Sequence, residues 1–161
     1  MKKGISLRKA AMPDCEQIHK MQVESFGALF NKYKDHSTSP AIEPIERIKK
    51  KMAQEFTDYY FISVDNSDIG AIRIVKLSAN VCRISPMFIL PQYQGMGYAQ
   101  QTVLKVESLY PQAERWELDT IKQEPKLCCF FEKMGYIATG KEETIQEDMT
   151  IVFYSKSMLD S

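Results

Sequence analysis

The chain has no excess of charge: its 21 lysines and arginines balance 21 aspartates and glutamates. Proteins held on nucleic acid by their overall field carry a basic surplus, so no nucleic-acid partner is expected, although a local patch for a few phosphates stays open. Long apolar runs are missing too. Nothing approaches the roughly 18–20 apolar residues that a membrane-crossing helix needs, so no membrane partner is expected. The opening Met1-Lys2-Lys3-Gly4-Ile5-Ser6 has charge with no apolar stretch behind it, and no secretory leader is expected. Cysteine is scarce, and the four present (Cys15, Cys82, Cys128, Cys129) have neither zinc-ligand nor disulfide-framework spacing. Adjacent Cys128 and Cys129 are expected to pack as small hydrophobes in a reducing, cytoplasmic setting. The two histidines, His19 and His36, read as a helix-face residue and a loop residue rather than as catalysts. No metal is expected, and no repeat, linker or low-complexity segment breaks the chain. With 44% apolar and 26% charged residues, residues 1–161 read as one globular domain with an adequate core.

What is present is organised around residues 83–109. A buried strand (Arg83 to Leu90) leads through Pro91-Gln92-Tyr93-Gln94 into Gly95-Met96-Gly97-Tyr98-Ala99, and an amphipathic helix follows. Free N–H groups converge at such a helix start, and the helix dipole adds partial positive charge, so phosphate is the natural guest. Glycines at 95 and 97 permit positive φ and let backbone approach a diphosphate without a Cβ in the way. No lysine follows them, which excludes the phosphate loop of nucleotide triphosphatases. A dinucleotide-binding turn would also want an acid about 20 residues on, and Glu117 and Asp119 stand near that distance. Gln100, however, holds the third glycine position. Glycines that merely shape a tight turn are the remaining reading.

Gln94-Gly95-Met96-Gly97-Tyr98-Ala99 resembles the Q/R-x-x-G-x-G/A signature of the GCN5-related N-acetyltransferase superfamily, and Phe131-Glu132-Lys133-Met134-Gly135-Tyr136 is similar to that family's Y-E-K-x-G-F/Y stretch. The resemblance implies an α/β fold: a mixed, mostly antiparallel sheet flanked by helices, acyl-CoA N-acyltransferase-like, with two splayed parallel central strands. It implies acetyl-CoA as co-substrate, with Gln94, Gly95, Met96, Gly97, Tyr98 and Ala99 around its pyrophosphate and Phe131 beside its thioester. It implies main-chain contacts from Phe88, Ile89 and Leu90 to the pantetheine arm, next to a strand bulge for which Pro86 is suited. The acceptor is then a small-molecule or peptide amine, with homodimer formation left open. The family often has tyrosine where Phe131 stands, its hydroxyl the acid for the leaving thiolate. Phenylalanine has no such proton, so either the thiolate leaves unaided or the chain is a non-catalytic acyl-CoA binding or regulatory domain.

The rest of the chain reads in order. Ile5 to Ala10 alternates as a half-buried strand. Met12-Pro13-Asp14 opens a helix whose apolar face is marked by Ile18, Met21 and Phe26, with Val23 nearby, and which is expected to fade after Gly27. Asn31 to Pro44 is expected as a long loop, the region that contributes to the acceptor site in the resembling family. Glu43 to Phe56 reads as a second helix whose Arg47-Ile48-Lys49-Lys50-Lys51 run makes a solvated face. Tyr59 to Val64 and Ile69 to Leu77 read as a hairpin around Asp65-Asn66-Ser67-Asp68. Val103, Leu104, Val106 and Leu109 are expected to face the sheet from the third helix. Trp116 to Ile121 follows a helical crossover and is therefore parallel to the organising strand. Pro125 to Met134 is a fourth helix ended by Gly135, and Lys141 to Ile145 with Met149 to Ser155 close the fold as a hairpin.

Acetyl transfer to an amine needs a donor for the developing oxyanion and a route for the amine proton, but no covalent enzyme intermediate. The Ile89 backbone N–H is the candidate donor. Asp119, nearer the open end of the fifth strand, and Glu24, late in the first helix, are the candidate bases, each weighed against an ordinary surface role.

Overall fold

The computed structural model describes residues 3–159. Met1 and Lys2 of the charged opening stretch lie outside that range. The described elements are β1 (Ser6–Lys9), α1 (Cys15–Tyr33), α2 (Ile45–Met52), β2 (Thr57–Val64), β3 (Ser67–Lys76), β4 (Val81–Ile89), α3 (Tyr98–Leu109), β5 (Arg115–Ile121), α4 (Pro125–Lys133), β6 (Ile137–Gln146) and β7 (Met149–Ser157). The strands form one sheet in the order β1-β2-β3-β4-β5-β7-β6. Every pairing is antiparallel except β4 with β5. The fold is thus the mixed, mostly antiparallel sheet flanked by helices that the resemblance implies. No helix among the described residues is long and apolar enough to cross a membrane.

Period-2 patterning in the central strands supplies two cores, one on each face of the sheet. Ile62, Ile72, Ile74, Ile84, Trp116 and Leu118 point toward α3 and α4, where Val103, Val106 and Phe131 meet them. Tyr59, Phe61, Ala71, Phe88 and Leu90 point the other way, onto Cys15, Ile18 and Met21 of α1 and Ile48 of α2. The β2–β3 hairpin turns on Asp65 and Asn66, both at positive φ (50° and 66°). Asp and Asn tolerate that region better than bulkier residues, and a two-residue turn of this hand matches strand twist.

Four expectations are corrected. First, α1 does not fade at Gly27 but runs to Tyr33, where Lys34 caps it in the left-handed region. A helix glycine costs only about 1 kcal/mol, and Phe26, Leu29, Phe30 and Tyr33 carry the half-buried face onward across it. The loop expected from Asn31 therefore starts at Lys34. Second, α2 is shorter than Glu43 to Phe56. It begins after Pro44 and ends at Met52, and Phe56 is exposed. Its basic run is indeed largely solvated, although Ile48 is buried and Lys51 reaches Glu43 at 2.5 Å.

Third, Leu104 and Leu109 of α3 are 52% and 46% exposed. Thr102 and Glu107 take the inward positions with Val103 and Val106, because each brings its own partner. The Thr102 hydroxyl donates to the Tyr98 carbonyl at 2.8 Å, and Glu107 accepts from Lys156 Nζ (2.9 Å) and the Tyr136 hydroxyl (3.0 Å). A polar side chain with its partners in place tolerates burial. Fourth, Cys129 is exposed. Only Cys128 turns inward, its thiol 3.6 Å from the Ile121 carbonyl.

Candidate active site

The β4–β5 pairing is short. Val81, Cys82 and Arg83 pair with Arg115, Trp116 and Glu117, and beyond them the strands separate. The opening between them is a cleft of about 1250 Å³. It runs from the Gly95–Gln100 turn and α4 on one side to α1, its following loop and the β6–β7 hairpin on the other.

Pro86 acts as expected for a proline in a central strand. Ile72 opposes Met87 while Ile74 opposes Ile84, so Ser85 and Pro86 together face Arg73 as a bulge. The Arg73 guanidinium donates to the freed Ser85 carbonyl at 2.9 Å. Past the bulge, the direction of the main-chain groups follows from one bond: the Leu90 N–H donates to Ile69 O at 2.8 Å. Antiparallel pairs alternate between bonded and non-bonded residues. Leu90 and Phe88 therefore turn their backbone groups toward β3, whereas Ile89 and Met87 turn theirs into the cleft. The Phe88 carbonyl lies so close to Gly70 that a Cβ there would sit 2.1 Å from it. Of the three residues expected to offer main-chain groups to a ligand, Ile89 alone has them aimed that way, and its carbonyl already accepts from Gln94 Nε2 at 2.8 Å. Its N–H is the unpaired donor. Met87 is the residue sequence reading missed, although counting back two from Ile89 would have found it.

The glycine turn has the anticipated form. Gly95 and Gly97 both have positive φ (79° and 84°), and Gly97 is the N-cap of α3 with no side chain capping the helix. The first helical bond runs from the Gln101 N–H to the Gly97 carbonyl. The N–H groups of Tyr98, Ala99 and Gln100 thus have no acceptor inside the helix. No acid occupies the first turn, and Lys126 and Lys133 of α4 also line the cleft. A cradle with this much free N–H and no Cβ at its turn suits an anion. Gln94, Gly95, Gly97, Tyr98 and Ala99 line the cleft, while the Met96 side chain points to a separate small hollow beside Lys3 and Asp65.

Phe131 is buried and lines the cleft, its ring 5.1 Å from Phe130 and 6.0 Å from Tyr136. Tyr136 and Tyr154, buried in the same core cluster as Phe131, do not replace the missing hydroxyl. Tyr136 donates to Glu107 and Tyr154 to Glu132 (2.8 Å), and burial first, then the facing carboxylate, pushes both phenols above their ordinary range.

The two candidate bases part company. Asp119 lines the cleft where β4 has left β5, and its carboxylate is ion-paired with Arg83. That partner was not anticipated. Glu24 is exposed on α1 and is not among the cleft-lining residues, because Ser25, Phe26 and Leu29 make up the helix face turned to the cleft.

Residues 27–158 match the acetyltransferase (GNAT) domain family. No curated protein sequence matches the chain. Among solved structures, the chain superposes with TM-score 0.77 on the PaiA N-acetyltransferase of Thermoplasma acidophilum in complex with coenzyme A, at 15% identity over 96% of this chain and 99% of that one. The spermidine N-acetyltransferase of Vibrio cholerae in complex with CoA and spermine gives 0.75 at 15% identity over 95% of each chain. An acetyltransferase of Thermus thermophilus gives 0.74 at 14% identity, over 96% and 97%. At such identities the likeness is one of fold, but the family match spans most of the sequence, and the chain belongs to the GNAT acetyltransferase family.

Proposed function

We propose that the protein transfers an acetyl group from acetyl-CoA to a primary amine by direct attack on the thioester. The observation that carries this is the Ile89 N–H, aimed into a cleft between two parted strands with no strand to pair with. Beside it an uncapped, glycine-led helix start suits a diphosphate. The pantetheine arm would lie along β4 as an added strand does, using the groups of Met87 and Ile89. The N–H groups of residues 98–100 would hold the pyrophosphate, with Lys126 and Lys133 adding charge. Two solved structures of similar fold were obtained with coenzyme A, which supports coenzyme A as a guest of this fold.

In the reaction the amine nitrogen bonds to the carbonyl carbon, the C–S bond breaks, and the sulfur leaves as thiolate. Ile89 N–H stabilises the charge that develops on the carbonyl oxygen. Asp119 is the carboxylate placed to draw off the amine proton, through water, and Arg83 holds it in position. Phe131 keeps the thioester dry, and it gives the thiolate no proton. A thiol with a pKa of about 8.5 is a tolerable leaving group unaided.

Coenzyme A release from acetyl-CoA over a panel of primary amines tests the reading. The wild-type protein turns over, and Phe131→Tyr changes the rate by no more than roughly tenfold, the factor that 1.4 kcal/mol represents. The absent hydroxyl supports one other reading, a binder that has lost catalysis. In that case the wild type is silent with every amine, and Phe131→Tyr is active, general acid catalysis being worth about 10²–10⁴-fold.

The proton route has its own check. In Asp119→Asn the low-pH limb of the rate profile shifts or vanishes while coenzyme A affinity stays level. An unchanged profile would leave water alone as the acceptor.

A further inference from the structure

Three carboxylates are buried among the described residues: Asp35, Glu43 and Glu107. Glu43 has Lys51 at 2.5 Å, and Glu107 has Lys156 at 2.9 Å. Asp35, only 6% exposed, has no lysine, arginine or histidine at ion-pairing distance among the described residues. Burying a carboxylate without a counter-charge is costly, and the position makes it worse. Asp35 follows the C-cap of the 19-residue α1, where the last carbonyls and the helix dipole are already negative. The two lysines at that helix end are engaged elsewhere. Lys32 pairs with Glu124 at 2.6 Å, and Lys34 lies 5.8 Å above the Phe30 ring.

The local turn does not explain the charge. The Asp35 carbonyl accepts from the Thr38 and Ser39 N–H groups, and its carboxylate accepts from the Thr38 hydroxyl at 2.7 Å. An asparagine amide oxygen would serve that hydroxyl equally well. What asparagine could not offer is attraction for a cation, and Asp35 lines the cleft. Ser25 of α1 also lines it, but its hydroxyl is buried away from the opening. Phe26 and Leu29 of α1 and Phe88 of β4 supply apolar surface in the same cleft. The strand-borne cations that line the cleft are engaged elsewhere: Arg83 is paired with Asp119, and Lys141 lies 4.5 Å over the Phe153 ring.

We infer that Asp35 is a cation subsite of the acceptor end, and that the acceptor carries a second cationic centre on an apolar stem, as a straight-chain diamine does. This rests on the amine-acetylation reading above. One nitrogen of the acceptor attacks the thioester as neutral amine. The other stays an ammonium, held by Asp35, while the methylenes lie against Phe26 and Leu29. A monoamine of the same length would leave the buried carboxylate unpaired.

Calorimetry separates this inference from the activity it builds on. Straight-chain diamines from propanediamine to hexanediamine are titrated into the protein, each beside the monoamine of equal length. At least one diamine binds wild type roughly tenfold to hundredfold more tightly than its monoamine, the range for a hydrogen-bonded charge. That preference disappears in Asp35→Asn and persists in Thr38→Val, which loses the turn hydroxyl but keeps the charge. Equal affinity of wild type for every pair overturns the subsite, as does a preference that survives Asp35→Asn. Loss of the preference in Thr38→Val as well assigns Asp35 to the turn and likewise overturns it. Coenzyme A release that proceeds without diamine preference leaves the acetylation reading standing and removes the subsite. Diamine preference without any release does the reverse.

Discussion

Gly70→Ala unfolds at a temperature about 6–12 °C below wild type, and what remains folded has lost on the order of hundredfold in kcat/KM. The new Cβ would lie 2.1 Å from the Phe88 carbonyl oxygen and 3.1 Å from the Ile89 Cα, both main-chain atoms of the neighbouring strand. No rotamer change relieves such a contact; β3 and β4 must move apart where both cores depend on them. A forced shift of this kind costs about 3 kcal/mol, and at this chain length each kcal/mol is worth about 2–4 °C. The same shift carries the Ile89 N–H off target, and a displacement of about 1 Å is enough for roughly a hundredfold loss of rate. A thermal melt and steady-state kinetics on one preparation check both halves. A melting point within a degree of wild type would show that the strands yield more easily than their register implies.

Gly97→Val keeps the fold and loses coenzyme A. Gly97 sits at φ 84° and begins α3. A β-branched residue there is a genuine outlier, at about 1–3 kcal/mol. The turn relieves that strain by rotating the peptide units whose N–H groups converge on the cleft. Affinity for coenzyme A then falls by roughly tenfold to hundredfold, matching that strain, while the melting point changes little because the turn lies outside both cores. Titration calorimetry on a folded Gly97→Val protein reads this directly. Unchanged affinity would detach the pyrophosphate from residues 94–99.

The sequence made the strands and the glycine turn legible because period-2 burial and positive φ are local properties of the chain. Asp65-Asn66, Pro86 and Gly97 each announce a backbone event by residue type alone. The length of α1 was hidden for the opposite reason. Gly27 is a weak local veto, and it was overruled by the half-buried face that continues through Leu29, Phe30 and Tyr33, the last with its hydroxyl on the distant Glu124. The same holds for α3, where Glu107 is buried because Lys156, distant in sequence, reaches it. In the cleft, glycines and Phe131 could be recognised from a motif, but Asp119 could not be seen to carry Arg83, nor Glu24 to face outward. Asp35 was invisible as a site. Only the pattern of which carboxylates have partners sets it apart, and partners come from tertiary structure.

The short contact between β4 and β5 has a mechanical consequence. Backbone pairing joins β1–β4 to β5–β7–β6 through three residue pairs across the middle of the sheet, so main-chain hydrogen bonding is thin along that seam and the shared core carries the rest. A guest laid along β4 between the parted strands would splice them, supplying from outside the chain a rung that the polypeptide leaves out. Rigidity and occupancy would then be linked quantities. The filled protein would resist heat by RT ln(1 + [L]/Kd) more than the empty one, and the amides that gain most protection would be those flanking the seam rather than those deep in either core.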